Sequence, residues 1–295
     1  MIKVLPRLII FMVAFTAAAQ PKKQFAVEGK RECSRVVLNV GAESGNYIIR
    51  PTHSAEVLNV YSQGETGRNP FLFEETMSGS VQQIMLKLND VSGRGMTRIL
   101  SEQMMGDENS EGLWKVYLTD NKPYRLNMDY DLGNSNIDLS GLSIERLNIN
   151  TGSAEIRISY DHGENKTEMD TFQVKVELGS VALHKTHQAR SRFVAAEVGF
   201  GKMFLDFSDK PLVDYVVYGI VGAGNLIVNL PDDEVPVLIR INDSWLSSVM
   251  LPRNYRQVGD NAYASPAWTP AVQKPVVFNL DVAMGKIILR NAAGY

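Results

Sequence analysis

The sequence predicts an all-β fold in which strands stack as the coils of a β-solenoid. Several stretches alternate apolar and polar residues, as residues 126–132 do and as Phe172, Val174, Val176 and Leu178 do. Alternation with a period of two is what a half-buried strand requires, because successive side chains point to opposite faces. These stretches are therefore predicted to be strands whose apolar residues, Leu178 included, face the core.

Glycine corners follow these strands at nearly regular intervals. The first glycines of successive corners, at positions 133, 152, 179, 199 and 222, are 19, 27, 20 and 23 residues apart. A period near twenty residues is in the range of repeats that form one coil each, and glycine tolerates the backbone of a tight corner. The predicted corner residues are Gly133, Gly152, Gly179, Gly199, Gly222 and Gly224.

An antiparallel β-sandwich or meander is the alternative architecture, in which each corner would be a hairpin turn. The corners are mostly Gly-x-Gly or Gly-Ser rather than the Asn-Gly and Asp-Gly pairs that favour two-residue hairpins. Together with the nearly constant interval, this composition favours coils that stack in parallel, one after another along the chain.

Residues 114–230 resemble the toast-rack family, a group of bacterial envelope proteins and LiaF/LiaG-like adhesin-type domains of unknown function. The resemblance rests on the segments WKVYL at 114–118, PYRLNMDYDLG at 123–133, IDLSGL at 137–142 and LNINTGSAEI at 147–156, with a weaker echo at 282–287. The chain departs from the family pattern where Asn134-Ser135 and Ser153-Ala154 replace a second glycine. The resemblance implies a right-handed parallel β-helix and supplies no catalytic residues.

Residues 1–19 are predicted to be a secretory signal peptide. Lys3 and Arg7 form a basic start, residues 8–15 a short apolar run and Ala17-Ala18-Ala19 a cleavage pattern. An uncleaved N-terminal anchor is the alternative.

After the predicted signal peptide, residues 20–120 are predicted to be an N-terminal β-rich region and residues 121–295 the solenoid domain. A short helix over 97–105 is expected to act as a flap or as the cap of the N-terminal end.

Composition and charge limit the classes of partner that the protein could bind. The formal net charge is −3 with both signs interspersed, which argues against a nucleic-acid partner because such proteins carry a clustered basic face. After the signal peptide, no apolar run approaches membrane-spanning length. The protein is therefore expected to be exported to the periplasm or cell surface of a bacterium, with an envelope protein or polysaccharide as its partner.

Two groups of residues are candidates for chemical sites. His184 and His187 have a spacing seen in metal sites, but no carboxylate or cysteine is near them in sequence, and zinc requires three or four ligands. Outward carboxylates could form the groove of a carbohydrate-active β-helix enzyme, a lyase or glycosidase, if the coils bring them together; they are Asp129, Asp131, Asp138 and Glu155. A solvated polar face is the simpler interpretation. No catalytic, cofactor or metal residue is predicted, and a non-enzymatic, adhesin-like or stress-response scaffold is the expected function.

A candidate binding platform lies where the repeat pattern is interrupted, over residues 255–275. Aromatic and arginine side chains, which anchor many interfaces, are concentrated there beside three prolines. The candidate residues are Arg253, Tyr255, Arg256, Tyr263 and Trp268. The alternative is that these aromatic side chains cap the end of the solenoid by packing on its last coil.

Overall fold

The computed structural model describes residues 22–63, 71–88, 113–272 and 275–291. The predicted signal peptide and the predicted helix over 97–105 lie outside them. The described residues form seventeen strands, which all belong to one sheet. They also form one short 3-10 helix, Thr186–Ala189. The strands are β1 (Lys22–Glu28), β2 (Arg35–Ser44), β3 (Asn46–Thr52), β4 (Glu56–Gln63), β5 (Phe71–Ser78), β6 (Val81–Leu88), β7 (Leu113–Thr119), β8 (Pro123–Asp138), β9 (Ser143–Ser159), β10 (Thr171–His184), β11 (Phe193–Asp206), β12 (Val216–Leu230), β13 (Val237–Asp243), β14 (Ser247–Met250), β15 (Arg256–Gly259), β16 (Ala262–Ala264) and β17 (Val276–Asn291).

The long central strands, β8 to β12, stack in parallel in chain order. One row of paired residues runs through Leu126, Leu147, Phe172, Val194 and Val217. Successive members of this row are 21, 25, 22 and 23 positions apart. Neighbouring strands of a meander would be antiparallel, so the meander and sandwich alternative is wrong for this part of the chain, and the all-β, mostly parallel solenoid-like prediction is confirmed.

Each long strand bends in the middle and so has two arms, called here the first arm and the second arm. In β11 the buried residues are Val194, Ala196 and Val198 before the bend, but Met203 and Leu205 after it. The alternation therefore shifts by one residue at the bend. This shift allows both arms to direct their apolar side chains into one core, a continuous cluster that extends from Val27 to Leu289.

A row of glycines lies at the bend, one on each of the long strands β8, β10, β11, β12 and β17. The row contains Gly133, Ala154, Gly179, Gly201, Gly224 and Gly285, which pair in register. Its glycines have φ between +132° and +146°, a region that side chains disfavour. A Cβ built on Gly201 would collide with the carbonyl oxygen of Gly179, and one on Gly224 with that of Gly201. Glycine is thus required at these positions both by conformation and by the close approach of the next coil, whereas β9 has Ala154 in the row without a positive φ.

The six glycines predicted as one row of corners occupy two rows. Gly133, Gly179 and Gly224 lie at the bend, whereas Gly152, Gly199 and Gly222 lie two residues earlier without a positive φ. The earlier row is also closely packed, because a Cβ on Gly222 would lie 2.5 Å from the carbonyl oxygen of Gly199. Mixing the two rows made the sequence intervals uneven, and Gly45, Gly201 and Gly285 were missed as bend residues.

The coils do not follow chain order at either end of the stack. β17 pairs with β12 on one side and with β13 and β14 on the other, so the last long strand lies between earlier ones. Near the N-terminus, β2 and β3 lie between β8 and the pair β6 and β7. The expectation of one coil after another is therefore wrong outside β8 to β12. The sheet continues across residue 120, because β2 and β3 pair with β8.

Antiparallel strands cover both ends of the stack. At one end β5 pairs with β6, β4 with β7 and β1 with β4. At the other end β16 pairs with β13, and β15 with β16. These strands satisfy backbone groups that an open terminal coil would leave unpaired.

Replacing Gly201 with alanine is expected to lower the stability strongly. The added Cβ meets the Gly179 carbonyl and the φ of +145° disfavours any side chain, so we expect a loss of about 3 kcal/mol. Thermal unfolding of the two proteins measures it. Gly79→Ala is the matched control, because its φ of +59° is also positive but nothing lies within 4 Å of the added atom. Equal losses for both variants would contradict the role of close approach.

Candidate interaction surface

The residues of the predicted platform divide between the core and the solvent. Tyr255 is buried and belongs to the core cluster, and burial raises the pKa of its hydroxyl above the ordinary range. Tyr263 is half-buried and packs against the same core, and Trp268 is also half-buried. Arg253 and Arg256 are exposed, and Nη2 of Arg256 donates to the carbonyl oxygen of Trp268 at 2.7 Å. The aromatic rings therefore do not form one exposed platform.

The carboxylates considered for an enzymatic groove lie in different rows of the sheet. Asp129 and Asp131 are four and two residues before the bend glycine of β8, and Asp138 is five residues after it. Glu155 pairs with Asn134 on the second arm. Asp138 is engaged locally, because it accepts hydrogen bonds from Ser140 and lies 3.3 Å from Nδ1 of His162. The sheet does not gather these four side chains into one groove.

The two histidines considered for a metal site are placed differently. His184 ends β10 and packs against Phe204, with 5.2 Å between ring centroids. His187 is buried in the 3-10 helix, where burial lowers its pKa, and its Nε2 lies 3.5 Å from a carboxylate oxygen of Asp209. It lines a shallow cavity of about 580 Å³ with Glu164, Asp209 and other residues. Within residues 22–63, 71–88, 113–272 and 275–291, no three His, Cys, Asp or Glu side chains form a group that could hold a metal ion.

An apolar ridge, called here the outer ridge, runs along the outside of the bend. It consists of the residues directly before the bend glycines on β10, β11, β12 and β17, and of the residue aligned with them before β14. Four of its members are large and exposed, with Phe200 at 64%, Leu178 at 56%, Met284 at 52% and Leu246 at 43%. The members are Leu178, Phe200, Ala223, Met284 and Leu246.

The outer ridge contradicts the predicted inward orientation of Leu178. Phe172, Val174 and Val176 are buried as predicted, but the phase shift at the bend turns the next residue of the pattern to solvent. The same shift exposes Phe200 and Met284. The alternating pattern of β10 was extended by one residue past the position where burial shifts, so the sequence did not predict this exposed surface.

A second apolar row lies on the outer face of the second arm. It pairs Ala182, Phe204, Ile227, Ile288 and Met250 across five strands. All are partly exposed, and Met250 is 58% exposed. Between this row and the outer ridge lie Ser180, Lys202, Asn225, Lys286 and Ser248. Outward residues were interpreted from the sequence as a solvated polar face, but this outer face carries apolar residues with two lysines.

The most exposed aromatic side chain among the large hydrophobic residues described is beside the ridge. Trp245 is 90% exposed and directly precedes Leu246. It lies outside the segment 255–275 in which sequence analysis sought a platform. Its position before the short strand β14 offered no periodic signal that separates an exposed tryptophan from a core one.

Across the described segments, no helix is both long and apolar enough to span a bilayer.

Comparison with known proteins identifies a domain within the chain. Residues 73–184 match the model of the N-terminal domain of toast_rack, a region that overlaps the segments on which the resemblance rests. No curated protein matches the chain. The crystal structure of a proposed cell adhesion protein from Clostridium sporogenes is similar, with 13% sequence identity and a TM-score of 0.46 over 92% of this chain and all of that one. The family match confirms the resemblance: the chain contains a toast-rack domain over residues 73–184.

Proposed function

We propose that the chain is an exported, non-enzymatic scaffold of the bacterial envelope that binds its partner through the outer ridge. The observation that carries the proposal is a row of apolar side chains along one side of the sheet, four of which are large and exposed. Single exposed apolar residues are normal on a protein surface, whereas several of them in one row indicate a candidate interaction site, and this row includes Leu178, Phe200 and Met284 at more than half exposure. The toast-rack domain supports an adhesin-like role.

The proposal includes the finer description of the fold. We infer that the bent strands wind as a right-handed β-helix of about twenty residues per coil, capped at its N-terminal end. The register intervals of 21 to 25 residues support the coil size. Handedness is supported by the strong general preference of parallel crossover connections for the right-handed form. The division into residues 20–120 and 121–295 stays a prediction.

Envelope localisation depends on the predicted signal peptide over residues 1–19. If export removes it, the intact mass of protein isolated from the envelope is expected to correspond to a chain that begins at Gln20. Intact-mass spectrometry checks this. A retained Met1 would contradict cleavage and favour the N-terminal anchor.

The segment over residues 255–275 is proposed to act as a cap rather than as a platform. Tyr255 is buried in the core cluster, so Tyr255→Ala is expected to cost about 3 kcal/mol, the range for truncating a buried aromatic side chain. Such a loss lowers the midpoint of thermal unfolding by about 6–12 °C in a chain of this size.

Tyr255→Phe is the matched control for the cap. The hydroxyl of Tyr255 has no hydrogen-bond partner among the described residues, so removing it while keeping the ring is expected to leave the midpoint nearly unchanged. If Tyr255→Ala leaves the midpoint of thermal unfolding unchanged, the cap interpretation is contradicted and the binding-platform interpretation of residues 255–275 is favoured.

Binding by the outer ridge is tested with a double variant, Phe200→Ser with Met284→Ser. Both side chains are more than half exposed, so the midpoint of unfolding is expected to change little, while binding to isolated bacterial envelopes falls at least about tenfold, as for two buried contact residues. Leu72→Ser is the control, because Leu72 is 58% exposed on β5 at the other end of the stack. Equal envelope binding by the ridge variant and the parent would contradict the proposal.

A further inference from the structure

We infer that the outer ridge, with the lysines beside it, binds the surface of an anionic lipid bilayer. This inference rests on the proposed function and names the partner of the same surface. It is carried by three features of the described residues: the convex shape of the ridge, the charge beside it and the size of the apolar patch.

The shape of the ridge suits a fluid surface. The apolar side chains stand on the outside of a bend, and glycines flank them, as Gly199 and Gly201 flank Phe200. A convex ridge needs a groove of matching shape in a protein partner, whereas the interfacial region of a bilayer adapts to it. Trp245, which is 90% exposed beside the ridge, has the amphipathic ring that is enriched at membrane interfaces.

The charge beside the ridge is complementary to anionic headgroups. Lys202 and Lys286 are exposed in the row that separates the ridge from the apolar row on the second arm. Neither lysine has an ion-pair partner among the described residues, in contrast to Lys175, which pairs with Glu197 at 3.2 Å. The carboxylates nearest in register are Glu155 in the lysine row and Glu177 beside the ridge, at the β9 and β10 side. Between the outer ridge and the second apolar row, Lys202 and Lys286 are thus the only charged residues on β10, β11, β12, β17 and β14.

The size of the patch argues against a second copy of the chain as its occupant. Five strands about 4.8 Å apart make the patch about 19 Å long, and four residue steps between its two apolar rows make it about 13 Å wide. The resulting footprint of about 250 Å² is well below the roughly 800 Å² that each partner buries in a stable protein interface. Partial insertion into a lipid surface needs no such area, since a few apolar side chains and basic residues act together.

The test measures binding to lipid vesicles of the exported chain, which under the proposed function begins at Gln20. One set contains phosphatidylcholine alone, and the other also contains the anionic lipid phosphatidylglycerol. The parent is expected to bind the anionic vesicles more strongly. Because each lysine near an anionic surface contributes about a fivefold gain in binding, Lys202→Gln with Lys286→Gln is expected to lower binding to anionic vesicles about 30-fold at low ionic strength. This variant is expected to leave binding to neutral vesicles unchanged.

Two further variants complete the set. Phe200→Ser with Met284→Ser is expected to weaken binding to both kinds of vesicle, because it removes apolar side chains rather than charge. Lys175→Gln with Lys210→Gln, which removes the same charge at lysines paired with Glu197 and Glu234, is expected to leave binding unchanged. Parent and variants all begin at Gln20, so the apolar run over residues 8–15 makes no contribution to vesicle binding.

Two outcomes would overturn the inference. In the first, the parent does not bind anionic vesicles, or the ridge and lysine variants bind as the parent does. In the second, sedimentation shows a dimer that the ridge variant converts to a monomer, which makes a second copy the occupant. If the parent does not bind vesicles but the ridge variant loses envelope binding, the lipid partner is wrong and the scaffold function stands. If the parent protein does not bind isolated envelopes at all, the proposed function itself is contradicted.

Discussion

The close approach of neighbouring coils at the glycine row is the constraint on which the rest of this fold depends. Parallel strands stack with little space between successive backbones, and at the bend the carbonyl oxygen of one coil occupies the position that a Cβ of the next would need. On the strands that carry these glycines, this contact fixes where the strand bends and hence where its alternation shifts. The shift directs both arms into the core and turns the residue before each glycine outward. The core and the outer ridge therefore have the same origin.

Much of the fold could be predicted from sequence because its signals are local. Alternation identified the strands from β8 to β12, and the glycines marked their bends. The order of coils at the ends could not be predicted, since the position of β17 between β12 and β13 depends on which edges are free rather than on any pattern within it. The antiparallel caps depend on long-range pairing in the same way.

The candidate surface was harder to predict than the fold. Tyr255 looked like a platform residue because it lies in an irregular, proline-containing segment, but irregular backbone does not reveal whether a ring points inward. Leu178 was predicted to be a core residue because alternation before the bend predicts burial, but its side chain is exposed. The one-residue shift is a property of backbone geometry at Gly201 and Gly179, and it becomes visible when strands are placed side by side.

The insertion of β17 has a consequence for how the chain folds. Residues paired between β8 and β12 are separated by 21 to 25 positions, whereas Val217 and Phe278 are separated by 61. Closing that longer loop costs about 0.9 kcal/mol more than closing a coil of about 22 residues. During synthesis the N-terminal side emerges first, and β13 cannot reach its final neighbour before β17 is made. The strand β17 thus completes the C-terminal end of the sheet by joining β12 to β13. A chain that terminates before β17 would leave the edge of β12 free to pair with other chains.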